Sequence, residues 1–193
     1  TIDSFSAQSY GDWHLSVVSC FACPDEMFNE VGQLSWLQVS ELSELNVVLD
    51  TLNVESDWLA IIEAGDCLEA HALTSCVEFI SNDIDAQVVY TDDDKVSSEG
   101  FYHSPQFKPD FNLDLLYSTD YTAGLVLFNT ASLNKIADIE FPSIFLTYDI
   151  ILNYVDIFSE KVIARKQSIL LHRSENVDAI KNLQTDLRKK ALS

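Results

Sequence analysis

Short apolar runs bounded by polar residues recur along this chain. They lie in WHLSVVSC at 13–20, in DWLAIIEAGDCL at 57–68 and in DAQVVYTDDD at 85–94, and acids follow the last two runs. Runs of this length that are closed by polar residues are typical of strands buried on both faces of a sheet. We therefore expect three strands of a mainly parallel sheet at these positions.

A helical spacing of apolar residues separates the second of these strands from the third. In CLEAHALTSCVEFISND at 67–83, four apolar residues recur at the period of a helix: Leu68, Leu73, Val77 and Ile80. Asn82 and Asp83 then mark the end of the helix. Strand, helix and strand in this order predict the α/β class, with an open, mainly parallel sheet flanked by helices.

The next part of the chain predicts a loop and then a strand with a short helix. Residues 97–121 are loop-like, because Gly100, Pro105 and Pro109 interrupt any periodicity. The segment AGLVLFNTASLNKIA at 123–137 then predicts a strand followed by a short helix, since a polar Asn-Thr pair at its middle is a favourable helix cap.

Three further elements are predicted in the last third of the chain. TYDIILNYVDIF at 147–158 has the apolar spacing of a helix, and KVIARKQSILLHRS at 161–174 predicts an extended segment. Over residues 174–193, acids come early and bases late, which is the order that a helix macrodipole favours. The sequence therefore predicts one domain over 1–173, followed by a C-terminal helix over 174–193.

Two groups of acids come directly after the apolar runs. Glu63 and Asp66 follow the second run, and Asp92, Asp93 and Asp94 follow the third. The carboxyl ends of parallel strands form the ligand-binding edge of an open α/β sheet, so both groups are expected at that edge. An acidic triplet is equally typical of a solvated loop, and residues beside a helix start are also typical caps. Both interpretations stay open from the residues alone.

The net charge of −20 changes the range of partners that we expect. Residues 1–94 hold 19 Asp and Glu with no Lys or Arg, whereas residues 95–193 hold 12 acids and all 11 bases. Such a field repels polyanions, which excludes nucleic acid as a partner. A phosphate-bearing ligand of the first half would need a divalent cation between its phosphate and the carboxylates.

Membrane and cysteine signals complete the picture from composition. No stretch approaches the roughly 20 apolar residues that span a bilayer. Cys20 and Cys23 have the spacing of zinc and redox sites, but Cys67 and Cys76 lie far apart and no His follows at ligand spacing. Free thiols in a reducing compartment are therefore favoured over zinc. We predict a cytoplasmic protein, either free or at the inner membrane surface.

The residues from Asp85 to Leu133 resemble a segment of the family 2 glycosyltransferases. DAQVVYTDDDK and QFKPDFNLDLLYS are similar to the family's strand ending in YSDEDK and its FKPDWSPDLLLS loop. Upstream, AQSYGDWHLSVVS is similar to AQTYPNWELIIVDD, and DWLAIIEAGDCLEAHAL to EYIALLDADDxLAPDAL. The ordered similarities cover most of residues 2–172.

This resemblance implies the GT-A fold and transfer of a sugar from a nucleotide-sugar donor to a hydroxyl acceptor, in polysaccharide or glycan assembly. The acceptor would be a glycan or a lipid-linked molecule, and the cofactor Mg2+ or Mn2+, because a metal stabilises the diphosphate as it leaves. The resemblance also implies roles for particular residues: Glu63 and Asp66 for the metal, Asp92, Asp93, Asp94, Lys95 and Lys108 for the substrate, and Asp149 as the base.

The chain departs from the family pattern at several points. The family's opening strand has no counterpart, so the domain is expected to be incomplete at its N-terminus and to belong with other domains of a longer chain. Gly65 replaces the central acid of the metal motif, and Thr147 stands where a carboxylate is expected. A second hypothesis is therefore a GT-A-like binding or interaction module without catalysis. Lys95 and Lys108 either balance the acidic triplet or bind an anionic group of the substrate.

Overall fold

A computed structural model describes residues 1–25, 28, 32–40, 56–136 and 146–175. The predicted C-terminal helix falls outside these ranges except for its first two residues, of which Ser174 ends a strand. The helices of the described residues are α1 (Ile2–Ser6), α2 (Ala72–Asn82), α3 (Leu113–Ser118), α4 (Thr130–Leu133) and α5 (Leu146–Ile157). The strands are β1 (Leu15–Ser19), β2 (Leu34–Gln38), β3 (Trp58–Ala60), β4 (Cys67–Leu68), β5 (Val88–Val96), β6 (Tyr102–Gln106), β7 (Val126–Asn129) and β8 (Ile163–Ser174).

Strand β5 is the centre of a six-stranded sheet. Along the sheet the order is β3, β7, β5, β8 and β4, and β6 pairs with the outer half of β5. Strand β8 runs parallel to β5 along its whole length, whereas β7 and β6 are antiparallel to it. Strands β1 and β2 form a separate parallel pair.

The core covers both faces of β5, as the apolar runs predict. Val88 and Tyr90 pack into one cluster with Ile151 of α5, and Val89 packs into a second cluster with Ala72 of α2. Alternating side chains of one strand thus enter two cores, because successive residues of a strand point to opposite faces. This arrangement confirms the α/β class.

Two details of the fold differ from the sequence-based expectation. The sheet is mixed, since β3, β5 and β8 run one way while β4, β6 and β7 run the other. The predicted loop 97–121 contains strand β6 and helix α3. Strand β6 forms because it extends β5 as a hairpin, with Pro105 tolerated on an edge strand. Helix α3 forms because the Asn112 side chain accepts a hydrogen bond from the Leu115 amide.

Candidate functional site

The acidic triplet lies inside the molecule rather than in a solvated loop. Asp92, Asp93 and Asp94 belong to β5 and are 2%, 1% and 8% exposed. Register shifts against β8 flank Asp92, so the regular alternation of the strand is interrupted at the triplet. A buried carboxylate is costly unless a cation or hydrogen-bond donors accompany it. Each of the three has such partners.

Arg165 of β8 binds the first carboxylate of the triplet. Its Nη2 atom lies 2.9 and 3.1 Å from the two oxygens of Asp92, and its Nε atom lies 3.2 Å from Oδ1. The backbone amide of Lys108 donates to the same Oδ1 at 2.9 Å. Three nitrogens from two distant segments therefore neutralise and orient Asp92.

Lys108 binds the second carboxylate with its side chain. Its Nζ atom lies 2.7 Å from Asp93 Oδ2 and donates to the carbonyls of Ala123 at 2.6 Å and Thr122 at 3.3 Å. All three ammonium hydrogens thus have acceptors, and Lys108 is only 4% exposed. Burial lowers the pKa of Lys108, and the Asp93 anion opposes that shift. The structure therefore places Lys108 as a partner of the triplet, which is one of its two predicted roles.

Gly124 lies directly against this ion pair. Its φ of +123° is a conformation that favours glycine. A Cβ atom at this position would lie 2.7 Å from Asp93 Oδ2 and 3.2 Å from Lys108 Nζ. The close approach of the backbone to the two charges thus requires glycine.

His172 binds the third carboxylate. Its Nδ1 atom lies 2.5 Å from Asp94 Oδ1, and its Nε2 atom lies 3.0 Å from Glu69 Oε1. The ring of Tyr102 stacks on the imidazole with a centroid distance of 4.0 Å. His172 is therefore a buried histidine that joins two carboxylates from different strands and loops.

The residues predicted to bind the metal, Glu63 and Asp66, lie between β3 and β4, and Asp66 contacts the end of β8. Glu63 is exposed, whereas Asp66 is buried and its Oδ1 accepts the Ser174 amide at 2.8 Å. Gly65 between them has a φ of +105°, the unusual backbone that its glycine allows. The Asp66 amide donates to the Glu63 carbonyl at 3.2 Å. The two side chains are thus held by a turn rather than by a helix cap.

The carboxylates of the triplet do not fit a divalent metal, because protein side chains already bind all three. Within the described ranges, no group of three His, Cys, Asp or Glu is placed to hold a metal ion. The carboxylates of the triplet are already bound by Arg165, Lys108 and His172, so metal binding there would displace these side chains. The metal predicted from the resemblance stays a prediction, and no catalytic step is assigned to it.

A second acidic site contains the predicted base. Asp149, in the first turn of α5, lines a cleft of about 320 Å3. The rest of its described lining comes from the end of α3, the following loop and α5: Tyr117, Ser118, Thr119, Asp120 and Tyr148. Burial and then the Asp120 anion raise the pKa of Asp149. The helix dipole acts in the opposite direction at this position, so burial and charge repulsion outweigh it.

Asp120 is a residue of the cleft that the sequence interpretation missed. Its Oδ1 atom accepts hydrogen bonds from the Thr122 hydroxyl at 2.9 Å and from the Ala123 amide at 3.1 Å. An aspartate that caps the backbone two or three residues later is a common turn pattern. The segment Asp120-Tyr121-Thr122-Ala123-Gly124 carries that pattern, so the turn was predictable although its place beside Asp149 was not.

Lys95 is a predicted site residue at the outer end of β5, and Tyr148 is a further residue of the cleft. Lys95 lies half-buried at the outer end of β5, in register with His103 of β6 and Arg173 of β8. Tyr148 lines the cleft, and its hydroxyl donates to the Leu116 carbonyl of α3 at 3.1 Å. The predicted residues therefore fall into three places: the triplet with Lys95 and Lys108, the Glu63 turn, and the Asp149 cleft.

Comparison with known proteins identifies relatives of the chain. It is 30% identical to the uncharacterised protein y4gI of Sinorhizobium fredii over 148 residues, which are 70% of this chain and 16% of that protein. It is also 30% identical over 80 residues to the O-antigen biosynthesis protein RfbC of Myxococcus xanthus, covering 42% of this chain and 6% of that protein. The chain thus spans less than a fifth of the length of either relative. No protein-family model matches it.

A solved structure shares the fold. The GT-A-type glycosyltransferase TarS of S. aureus, solved for residues 1–349, superposes with a TM-score of 0.63 and 17% sequence identity. The superposition covers 90% of this chain and 55% of the TarS structure. The predicted GT-A-like α/β fold is thereby confirmed. The chain therefore shares its fold with a GT-A-type glycosyltransferase.

Proposed function

We propose that this chain transfers a sugar from a nucleotide-sugar donor to a hydroxyl of a glycan acceptor. The observation that carries this proposal is the Asp149 carboxylate, which lies in a cleft of a GT-A-like fold with its pKa raised by burial and by Asp120. A carboxylate with a raised pKa is a stronger base than an ordinary aspartate. It is therefore suited to accept the proton of an acceptor hydroxyl.

In the proposed reaction the protein takes part in one proton transfer, in which it accepts the proton of the acceptor hydroxyl. The acceptor oxygen bonds to the anomeric carbon of the donor while the bond from that carbon to the nucleoside diphosphate breaks. The hydroxyl proton passes to Asp149, and the nucleoside diphosphate departs with its bonding electrons. A positioned base of this kind contributes roughly 10²- to 10⁴-fold in rate.

The lining of the cleft supports a sugar hydroxyl rather than a phosphate as the group that enters. Tyr117 is 61% exposed and Tyr148 lies beside it, so two aromatic rings are available to contact the apolar face of a sugar. Asp120 and Asp149 give the lining two anions, and its described residues include no Lys, Arg or His. We therefore favour the glycan end of an acceptor over the phosphate of a lipid-linked carrier.

The relatives and the cysteines support the wider setting of this proposal. One relative is named for O-antigen biosynthesis, which fits assembly of a surface polysaccharide. The four cysteines are free thiols, as expected in the reducing cytoplasm. None of the described helices has the length and apolarity to cross a membrane.

A binding module without catalysis is the second candidate function. The observation that favours it is the occupation of the triplet by Arg165, Lys108 and His172, which leaves these carboxylates no place for a metal. This hypothesis predicts that nucleoside diphosphates with Mn2+ leave the melting temperature unchanged. A donor site predicts stabilisation by RT ln(1 + [L]/Kd), about 2.7 kcal/mol at roughly 100 times Kd.

A transfer assay tests the proposed function. The purified chain is incubated with a panel of nucleotide sugars and neutral oligosaccharides, with and without Mn2+, and the release of nucleoside diphosphate and the product are measured. Asp149→Asn is expected to lose at least 10²-fold in rate. Asp156→Asn is the matched control, because it makes the same change at an exposed position of the same helix. Equal rates in both variants would contradict the role of Asp149, and no transfer by the wild type from any donor would contradict the proposed function.

A further inference from the structure

The acidic triplet and the Asp149 cleft are joined by a continuous series of contacts that begins in the core and ends at the exposed Asp120. Asp93 contacts the Lys108 ammonium, and the ammonium donates to the carbonyls of Thr122 and Ala123. The other groups of the same two residues, the Thr122 hydroxyl and the Ala123 amide, donate to the Asp120 carboxylate. Residues 122 and 123 are thus held from both sides.

We propose that Lys108 is a positioning residue that, through residues 122 and 123, fixes Asp120 in the cleft beside Asp149. This inference rests on the proposed function, because it assigns Lys108 an effect on the base of that reaction. The resemblance implied instead that Lys108 binds substrate. Lys108 has no donor left for a ligand, since its three ammonium hydrogens already have acceptors.

The geometry around Lys108 explains why the position of residues 122–124 is well defined. The Lys108 amide is itself bound by Asp92, so the triplet holds both the backbone and the side chain of this residue. Gly124 permits the loop backbone to approach the pair, because any Cβ there would meet the Asp93 carboxylate. The ion pair with Asp93 and the hydrogen bonds to the carbonyls of Thr122 and Ala123 together favour a single arrangement of this loop.

The other side of the cleft is fixed independently of Lys108. The Tyr148 hydroxyl donates to the Leu116 carbonyl and ties the start of α5 to α3. In the described part of the chain, the titratable side chains of the cleft are Tyr117 of α3, Asp120 of the loop, and Tyr148 and Asp149 of α5. The position of the loop therefore decides how close the Asp120 anion lies to Asp149.

The test is a carbon NMR titration of the Asp149 carboxyl in labelled protein, which needs no activity. Two variants interrupt the series at different points. Thr122→Val removes the hydroxyl that binds Asp120 and leaves the Asp93–Lys108 pair intact. The double variant Asp93→Asn with Lys108→Met removes the pair without leaving one charge buried alone. Lys161→Met, at an exposed position, is the control for loss of a lysine.

We expect the Asp149 midpoint to move towards its ordinary value in both test variants and to stay unchanged in the control. A combination of Thr122→Val with Asp120→Asn is expected to shift the midpoint by less than the sum of the two single shifts, because both act through the same charge. If Asp149 titrates with the same midpoint in both test variants as in the wild type, and circular dichroism shows that the variants are folded, the proposal is overturned. Failure of the proposed function is separate, because it would appear as absent transfer by the wild type while these shifts remain.

Discussion

Arg165 contacts both oxygens of Asp92 through one guanidinium nitrogen, across the parallel pairing of β8 with β5. The two residues lie 73 positions apart in the chain, so the contact forms only when the two strands pair. Asp92 is almost wholly buried, and the side chain of Arg165 is 13% exposed. The ion pair therefore joins β5 to β8 near the centre of the sheet, where neither charge is well hydrated.

Removal of Arg165 should destabilise the fold strongly. Among the described partners of the buried Asp92 carboxylate, Arg165→Met leaves the Lys108 amide alone, and the expected loss is about 3 kcal/mol in the free energy of unfolding. Arg165→Lys should lose less, because it keeps the charge but cannot reproduce the guanidinium contacts. Urea unfolding of both variants measures the difference. A loss of less than about 0.5 kcal/mol for Arg165→Met would contradict the importance of this pair.

The Asp93–Lys108 pair predicts an asymmetry between single and double substitutions. Lys108→Met alone leaves a buried anion without its cation and should cost about 3 to 5 kcal/mol. Adding Asp93→Asn removes that anion, so the double variant should be more stable than the single one. Unfolding in urea again measures both, with Lys161→Met as the control. If the double variant proves less stable than Lys108→Met, the two side chains are not paired as described.

Gly124 should tolerate no side chain. Gly124→Ala places a Cβ 2.7 Å from Asp93 Oδ2 in a backbone conformation that alanine disfavours, so we expect a loss of at least about 1 kcal/mol. Gly11→Ala is the matched control, because its Cβ would meet nothing within 4 Å. Thermal unfolding of the two variants compares them. Equal melting temperatures would show that the backbone of residue 124 is not held against the ion pair.

Asp149 should lower stability at neutral pH. Its pKa in the folded state is raised above the ordinary value of 3.8, so the folded chain binds this proton more tightly than the unfolded chain does. The stabilising contribution of the protonated group is full below about pH 3.8 and is lost as the pH rises through the folded-state pKa. Asp149→Asn should therefore raise the melting temperature at pH 7 and have little effect near pH 3.5.

The control for that measurement is again on the same helix. Asp156→Asn makes the same change at an exposed carboxylate of the same helix. A fall in melting temperature at pH 7 for Asp149→Asn would contradict this account, because it would show that the cleft favours the ionised carboxylate of Asp149. A gain in stability together with a loss of transfer is typical of an active-site residue.

The local pattern of apolar and polar residues predicted most of the helices and strands, because these elements form where apolar side chains are buried. Val88, Val89 and Tyr90 enter the core on both faces, and α2 ends at Asn82 as its polar end signal indicates. Strand β6 was missed because its residues are polar and mostly exposed, so it has no apolar alternation. The mixed strand directions depend on the position of β7 between β3 and β5, which no local run records.

The site was only partly predictable for a related reason. The acids of β5 were visible as a cluster, but their partners Arg165 and His172 come from a strand more than 70 residues away. The pairing register of β5 with β8 decides which base meets which acid, and that register is a property of the assembled sheet. The resemblance therefore named Asp149 as the expected base, whereas the place of Asp120 beside it is seen only in the fold.

The pH dependence of sugar transfer tests the central claim most directly. Rates are measured from acid to neutral pH for the wild type and for Asp120→Asn, which keeps the oxygen that caps residues 122 and 123 but removes the charge. We predict that the rate rises as Asp149 loses its proton, and that this rise occurs at lower pH in the variant because the repelling anion is gone. A rise at the same pH in both proteins would contradict the claim that Asp120 tunes Asp149 as the base.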